Sequence, residues 1–280
     1  MIAKQEKKFV KNALFLSHTS MHDFLNCPRA YYLKNIYRDK KTGYKLQIAS
    51  PHLSLGSVVH DVIKWLLEMQ RQVSKKQLLD RFDNFWLKYS GKRGGFISKE
   101  EEESFKARGR KMMESFYESS KILGKMIPPM NFPKYFLDED LVLTGNLDYV
   151  EELPDGSLHV IDFKTGTKDE QSNLQLYLYA ILAESNLGKP VKKLSFWYLD
   201  RSSTPDEVVL DSLEEKLEYL KQKGREIKKA IETGEWVCSK SPEPAEGCFD
   251  CQAYQAIIEG KGEFQFEDDR YKKVVYFLPK

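Results

Sequence analysis

No stretch of the sequence approaches the ~20 uninterrupted apolar residues that a membrane span requires. The longest apolar segments are broken by Lys, Asp or Glu, so the chain reads as soluble, with no membrane partner. Neither charge is in excess: 44 Lys+Arg stand against 42 Asp+Glu, a formal net charge of +2, which excludes a strongly basic scaffold protein. Nothing repeats at a fixed period, and no Ser-, Pro- or Gly-rich linker divides the chain. No G-x-x-x-x-G-K-[ST] occurs, so a phosphate-loop motor is excluded. The N-terminal Met1-Ile-Ala-Lys-Gln-Glu-Lys-Lys is positively charged early but lacks an apolar core and a small-residue cleavage site. No secretory signal is expected there, and a reducing cytoplasm is the expected compartment. Cysteine is scarce, with four residues in 280. A chain this long buries roughly 75% of the surface that its unfolded form exposes, so it does not need disulfide staples. The four cysteines therefore call for another use.

What is present is an ordinary globular mixture, 41% hydrophobic and 31% charged, too apolar for a disordered chain. Helices are expected over 20–37, broken at Cys27-Pro28 where proline can open a second helix, and over 53–72, where Leu55, Val58, Val59, Val62, Ile63, Leu66 and Leu67 recur at helical spacing. Two more follow, over 74–89 and 98–123, the last with an acidic first turn that suits the helix dipole. The pattern then turns to strands at 134–137, 141–151, 158–164, 193–199 and 207–210, with helices at 171–187 and 213–233 and an extended run at 272–278. This order argues for one α/β domain with a mixed sheet over residues 1–280. It divides into a helical part (20–125), an α/β core (134–233) and a C-terminal cysteine segment with its tail (234–280).

The most informative segment runs from Gly145-Asn-Leu-Asp148 through Pro154-Asp155-Gly156 to Asp162-Phe-Lys164-Thr-Gly166. Proline presets one dihedral and glycine accepts positive φ, so Pro154-Asp155-Gly156 reads as a turn. Folding about Asp155 sets position i opposite 310 − i, which places Asp148 against Asp162 if the ladder has no bulge. Alternation puts Lys164 on the face of Asp162 and His159 on the other, so His159 is left out of the site. Like charges opposite each other destabilise a sheet, unless a divalent cation lies between them. Oxygen donors at a strand end suit Mg²⁺ or Mn²⁺, which can activate a water, and Lys164 can then orient or deprotonate that water or offset charge on a phosphate. The alternative, a solvent-facing hairpin with ordinary surface charges, fits poorly with the apolar Leu158, Val160, Ile161 and Phe163 around them.

Asp148 followed by Asp162-Phe-Lys164 resembles the catalytic signature of the PD-(D/E)XK nuclease superfamily, and specifically its RecB-type branch. There the acid-x-Lys precedes a helix bearing Q-x-x-x-Y, which Gln175-Leu-Tyr-Leu-Tyr179 matches, and follows a helical histidine, which Gly56-Ser-Val-Val-His60 matches. The resemblance covers nearly the whole chain in order. It implies a restriction-endonuclease-like mixed central sheet flanked by helices, with an N-terminal helical part. It implies a metal held by His60, Asp148, Asp162 and the backbone carbonyl of Phe163, with Lys164 assisting the water. Gln175 and Tyr179 share one helix face, and either bind substrate phosphate or hold Lys164 in place; Tyr179 also suits plain packing against the sheet. For His60, a capped or core histidine is the alternative to a ligand.

Cys27 stands near the N-terminus, whereas Cys238, Cys248 and Cys251 cluster towards the other end. C-x-x-C is a metal-chelating spacing, and four thiolates suit Zn²⁺ or an iron-sulfur cluster. The segment Leu16-Ser-His-Thr-Ser-Met-His-Asp-Phe-Leu-Asn-Cys27-Pro-Arg-Ala-Tyr31 resembles the N-terminal motif of the iron-sulfur nucleases of this branch. These include the CRISPR-associated exonuclease of the spacer-acquisition module and the nuclease domain of the AddB helicase subunit. The resemblance implies a [4Fe-4S] cluster on all four cysteines, clasping the two ends of the domain. In those proteins the C-x-x-C tends to come first; here the long gap does, which keeps Zn²⁺ as one alternative and free buried cysteines as the other.

The expected activity is that of a metal-dependent DNA nuclease, exonucleolytic on single-stranded or free ends. A DNA-end-processing subunit, working only beside an integrase or a helicase in CRISPR adaptation or recombination, is the alternative. Arg71, Lys75, Lys76, Lys106, Arg108, Arg110, Lys111, Arg225, Lys228 and Lys229 could line a DNA groove, although interspersed acids argue for solvated helix faces. Tyr31, Tyr32, Trp65, Trp86 and Tyr89 could stack on bases, but their helical spacing favours a core role.

Overall fold

The computed structural model describes residues 2, 12–70, 72–241 and 246–279; Arg71 lies outside them. Along the chain come β1 (Leu14–Leu16), α1 (His18–Asn26), α2 (Pro28–Tyr31) continued by a π-helical turn (Tyr32–Ile36), β2 (Lys45–Ile48), α3 (Pro51–Glu68), α4 (Lys75–Trp86) and α5 (Lys99–Ser119). Then follow β3 (Lys134–Phe136), β4 (Leu141–Thr144), β5 (Tyr149–Glu152), β6 (Leu158–Lys164), α6 (Leu174–Leu187), β7 (Val191–Tyr198), β8 (Asp206–Val208) and α7 (Leu213–Thr233). The last elements are α8 (Phe249–Ile258), β9 (Glu263–Asp268) and β10 (Lys273–Phe277). The expected α/β class with mixed sheets flanked by helices is what forms, and it is a restriction-endonuclease-like arrangement. Among the described residues, no helix is long and apolar enough to cross a membrane.

The chain divides into two compact units. The first comprises Met1–Met21, Lys64–Gln72 and Met112–Lys229. It holds a mixed four-stranded sheet in the order β5-β6-β7-β8 and a three-stranded one in the order β1-β4-β3. β6 pairs antiparallel with β5 and parallel with β7. Helix α6 packs on strands of both sheets. Every residue from Leu176 to Ser185 is buried, as a helix enclosed on all sides must be. On the opposite face of the four-stranded sheet, Phe163 packs against Phe116, Trp197 and Tyr149 with ring centroids 5.3, 6.0 and 6.3 Å away.

The single strand expected over 141–151 is two strands in different sheets. Gly145 explains the break. A Cβ built there would come within 3.0 Å of the Tyr179 ring and 3.5 Å of Leu182, so only a residue without a side chain lets the backbone pass α6 this closely. Past that crossing, β5 turns into β6 at Pro154-Asp155-Gly156, where Gly156 has φ +81° and the Asp155 carboxylate accepts from the Ser157 N–H at 3.0 Å. Helix α6 begins at Leu174, three residues later than expected.

The second unit comprises His22–Ile63, Val73–Lys111 and Ala230–Lys280. Its sheet has the order β2-β10-β9, with β2 parallel and β9 antiparallel to β10. The apolar stripe of α3 is buried as its spacing requires, from Leu55 through Val58, Val59, Val62 and Ile63. Helix α4 starts at a capping box: Ser74 Oγ accepts from the Gln77 N–H, and the Gln77 side chain accepts from the Ser74 N–H. Trp86, 1% exposed, donates from its indole to Glu102 at 3.0 Å. Trp86 and Tyr31 are core residues and are closed to base stacking.

Candidate functional site

The hairpin closes in the register that its turn dictates. Tyr149 pairs with Ile161, Val150 with Val160, Glu151 with His159 and Glu152 with Leu158, and each pair sums to 310. Asp148 stands one residue before this ladder, level with Asp162. Its Oδ2 accepts from the Phe163 N–H at 3.0 Å. A strand residue's N–H and C=O share one edge, so the Phe163 carbonyl faces the same open edge beyond the start of β5. His159 lies on the other face, with Nδ1 2.9 Å from Glu151 Oε1 and Nε2 2.8 Å from Ser195 Oγ. That buried array ties β5, β6 and β7 together away from the carboxylates.

Asp162 and Lys164 project from β6 towards the start of α6. Gln175, in the first turn of that helix, bridges them. Its Nε2 donates to Asp162 Oδ1 at 2.9 Å and to the Tyr179 hydroxyl at 3.1 Å, and its Oε1 accepts from Lys164 Nζ at 2.6 Å. The amide can face only one way, because an ammonium solely donates and a carboxylate solely accepts. Lys164 Nζ also lies 3.0 Å from Asp162 Oδ2 and 3.1 Å from Glu170 Oε1, and 5.0 Å from the centroid of the Phe196 ring.

Burial disfavours the charge on Lys164, but the Asp162 and Glu170 carboxylates outweigh it and hold the pKa above the ordinary lysine value. With these partners the side chain is held as an ammonium donor beside the two carboxylates. Burial, reinforced by the charges of Asp162 and Asp148, pushes the Tyr179 hydroxyl well above the usual range, so Tyr179 stays neutral. An oxygen-rich edge formed by two carboxylates and a carbonyl, with a lysine held alongside, has the donor set of a hard divalent cation.

A family model described as the PD-(D/E)XK nuclease superfamily matches residues 15–256. The chain belongs to the PD-(D/E)XK nuclease superfamily. No curated protein matches it. Membership carries with it the metal-assisted hydrolysis of phosphodiester bonds that defines these nucleases. His60, the remaining residue expected at the metal, stands half-buried on α3 in the second unit, beside the buried Val59 and the exposed Asp61.

This PD-(D/E)XK protein also carries a cysteine centre, wholly within its second unit. The four Sγ atoms of Cys27, Cys238, Cys248 and Cys251 lie within 4.8 Å of one another. Cys27 is 3.5 Å and Cys248 3.6 Å from Cys251, sulfur to sulfur, too far for disulfides. Cys27 is the N-cap of α2, with Pro28 at its first position, and its sulfur accepts from the Ala30 N–H at 3.5 Å. Cys248 is the N-cap of α8, Cys251 lies in that helix's first turn, and the Cys248 N–H donates to the Cys238 sulfur at 3.2 Å. Helix N-termini and backbone N–H groups favour thiolates. Burial works to raise the Cys238 pKa, but donors from Lys240, Cys27 and Cys248 bring it down to about 7. Burial keeps Cys27 and Cys251 high. Gly247, with φ +81°, is required because a Cβ there would strike the Cβ of Cys251 at 2.7 Å. Lys34 adds an outer clamp, 3.2 Å from Asp23 and 3.4 Å from Asp250, and Tyr31 and Tyr32 both pack on Trp236.

Several basic residues considered for a DNA groove are paired within their own unit. Lys76 meets Asp80, Lys106 and Arg110 meet Asp83, Arg225 meets Asp138, and Lys228 meets Asp140. They read as solvated ion-pair faces. The residue that sequence reasoning missed is Glu170. It lies in the polar loop 165–173, and only its nearness to D-x-K in sequence could have pointed to it.

Proposed function

We propose that the chain is a Mg²⁺- or Mn²⁺-dependent deoxyribonuclease of the RecB-type branch, akin to the iron-sulfur exonucleases, acting as one nuclease domain on single-stranded DNA ends. The observation that carries this reading is the Asp162–Gln175–Lys164 bridge beside Asp148. It gathers the acid, lysine and glutamine of that branch's signature at one strand edge. Asp148, Asp162 and the Phe163 carbonyl are the residues that would hold the metal. The bound ion supplies activation of the attacking water and neutralisation of the phosphate. The protein's own contribution is positional. Asp162 and Gln175 fix Lys164, whose ammonium donates to the phosphate or to the water and stabilises the charge developing on the phosphate. Tyr179 holds Gln175 in turn.

The test is cleavage of end-labelled single and double strands by the purified chain, with and without Mg²⁺ or Mn²⁺. Asp162→Ala and Lys164→Ala should fold and fail to cut. Metal-dependent cleavage retained by either variant would overturn the assignment. Cleavage seen only with an integrase or helicase added would assign the chain to a larger processing assembly.

At the cysteine centre the order of the motifs supports a structural [4Fe-4S] cluster. The spacing favours a second reading. A single tetrahedral zinc with bonds of about 2.3 Å sets its thiolates about 3.8 Å apart, close to the 3.5 and 3.6 Å seen, whereas the irons and sulfides of a cluster hold them wider. Protein purified without oxygen decides between them. Brown colour with iron and sulfide supports the cluster; colourless, zinc-loaded protein replaces it. Either group suits a reducing cytoplasm.

A further inference from the structure

Lys164 has three N–H donors, and three acceptor oxygens lie within reach: Gln175 Oε1 at 2.6 Å, Asp162 Oδ2 at 3.0 Å and Glu170 Oε1 at 3.1 Å. Gln175 Oε1 accepts a hydrogen bond from Lys164, and the two carboxylates are its ion-pair partners, so a substrate anion approaching Lys164 competes with a carboxylate already beside it. Asp162 belongs to a strand and its side chain is 3% exposed. Gln175 is fixed by Asp162 and Tyr179. Glu170 differs on both counts: it lies in a loop, and its side chain is 36% exposed.

Backbone and neighbouring side-chain contacts anchor the loop on which Glu170 stands. The Glu170 N–H donates to the Tyr198 hydroxyl at 3.0 Å. Arg201 donates to the Thr167 carbonyl at 3.1 Å, pairs with Asp169, and lies 4.0 Å from the centroid of the Tyr198 ring. Main-chain and neighbouring anchors thus hold position 170 beside Lys164, while a side-chain rotation suffices to remove the carboxylate.

We propose that Glu170 is a displaceable stand-in for an anionic oxygen of the substrate: it neutralises Lys164 between encounters and yields when a phosphodiester takes its place. This rests on the reading of Lys164 as the substrate-facing lysine. Glu170 is a positioning residue, and its cost is competition with the nucleic acid for one ammonium.

The test is the affinity of the full-length chain for a short fluorescein-labelled single strand in EDTA, read by anisotropy so that cleavage plays no part. Glu170→Gln should tighten binding about five-fold, the equivalent of releasing an ion pair of about 1 kcal/mol. Asp169→Asn removes the same charge from the same loop but faces Arg201, and should change affinity less than about two-fold on the same scale. In a Lys164→Gln background the Glu170→Gln gain should vanish. Equal tightening by both loop variants would reduce the effect to general charge and overturn the proposal, as would no tightening by Glu170→Gln. If Lys164→Gln does not fold, the comparison of the two loop variants decides alone. A wild-type chain that never cleaves DNA, yet shows the Glu170-specific gain, would keep this inference and discard the nuclease reading; cleavage without the gain would do the reverse.

Discussion

Asp148, Asp162, Lys164 and Gln175 stand on or beside a strand and a helix whose ladder bonds and buried faces hold them whether or not an ion is bound. Cys27, Cys238, Cys248 and Cys251 stand at the starts of two helices and in a loop, linked chiefly by N–H···S contacts and by their own proximity. The first region is preorganised by secondary structure and would need a metal only for chemistry. The second gathers sulfurs from residues 224 apart in sequence and would need a bound metal group for its structure. Substitutions should therefore separate the two, with activity lost and stability kept in one, and stability lost in the other.

The largest effect belongs to the carboxylates. Asp162→Ala should lower the cleavage rate by about 10³-fold or more, a loss typical of removing a charged group from a preorganised site. Its melting temperature should stay within a few degrees of wild type, measured by circular dichroism. A melting temperature that fell with activity would merge the two regions into one structural unit. Cys251→Ser should show the opposite pattern, with loss of the bound metal group by elemental analysis and a fall in melting temperature of about 10 °C. Unchanged metal content and melting would remove the cysteine centre from the structural ledger.

Between these extremes lies Gln175→Leu. It keeps the helix but removes the bridge, and residues that orient metal-site groups typically contribute about 10- to 100-fold. Cleavage should fall by that amount with little change in melting. An unimpaired Gln175→Leu enzyme would show that Lys164 is held by its carboxylate partners without the amide.

The same contrast governs what was legible in the sequence. The hairpin register was readable because Pro154-Asp155-Gly156 announces a turn and strand alternation then sorts every side chain; the ladder pairs sum to 310 as a consequence. The ranges of β6 and α7 were readable for similar local reasons, apolar run and amphipathic period. By contrast, β1 has three residues and exists because β4, far along the chain, offers a parallel partner; no local signal encodes that. β2 was missed on the same ground, since its parallel partner is β10. The division of 141–151 depends on α6 passing close to Gly145, a tertiary fact invisible in a run of β-forming residues. Glu170 escaped because loops carry no period. The cysteines were legible as a set by spacing and count, whereas the identity of their metal group is not written in spacing alone.

The smallest effect sharpens the comparison most economically. Gly156 has φ +81° and open space around its Cα, with only the Glu152 carboxylate 3.9 Å from where a Cβ would lie. Gly156→Ala therefore meets no clash, and its cost is the left-handed backbone alone, about 1 kcal/mol. If the turn merely closes a hairpin whose register is enforced by the buried faces of β5 and β6, stability should drop by that amount in a denaturant titration while cleavage is unchanged. If the turn itself sets the register, relaxing it would let the strands slip, and a one-residue slip turns every side chain of β5 to the other face. Asp148 would then leave Asp162, and activity would fall far more than stability. The buried Val150, Val160 and Ile161 make slippage expensive, so the expected outcome is the small, purely thermodynamic one.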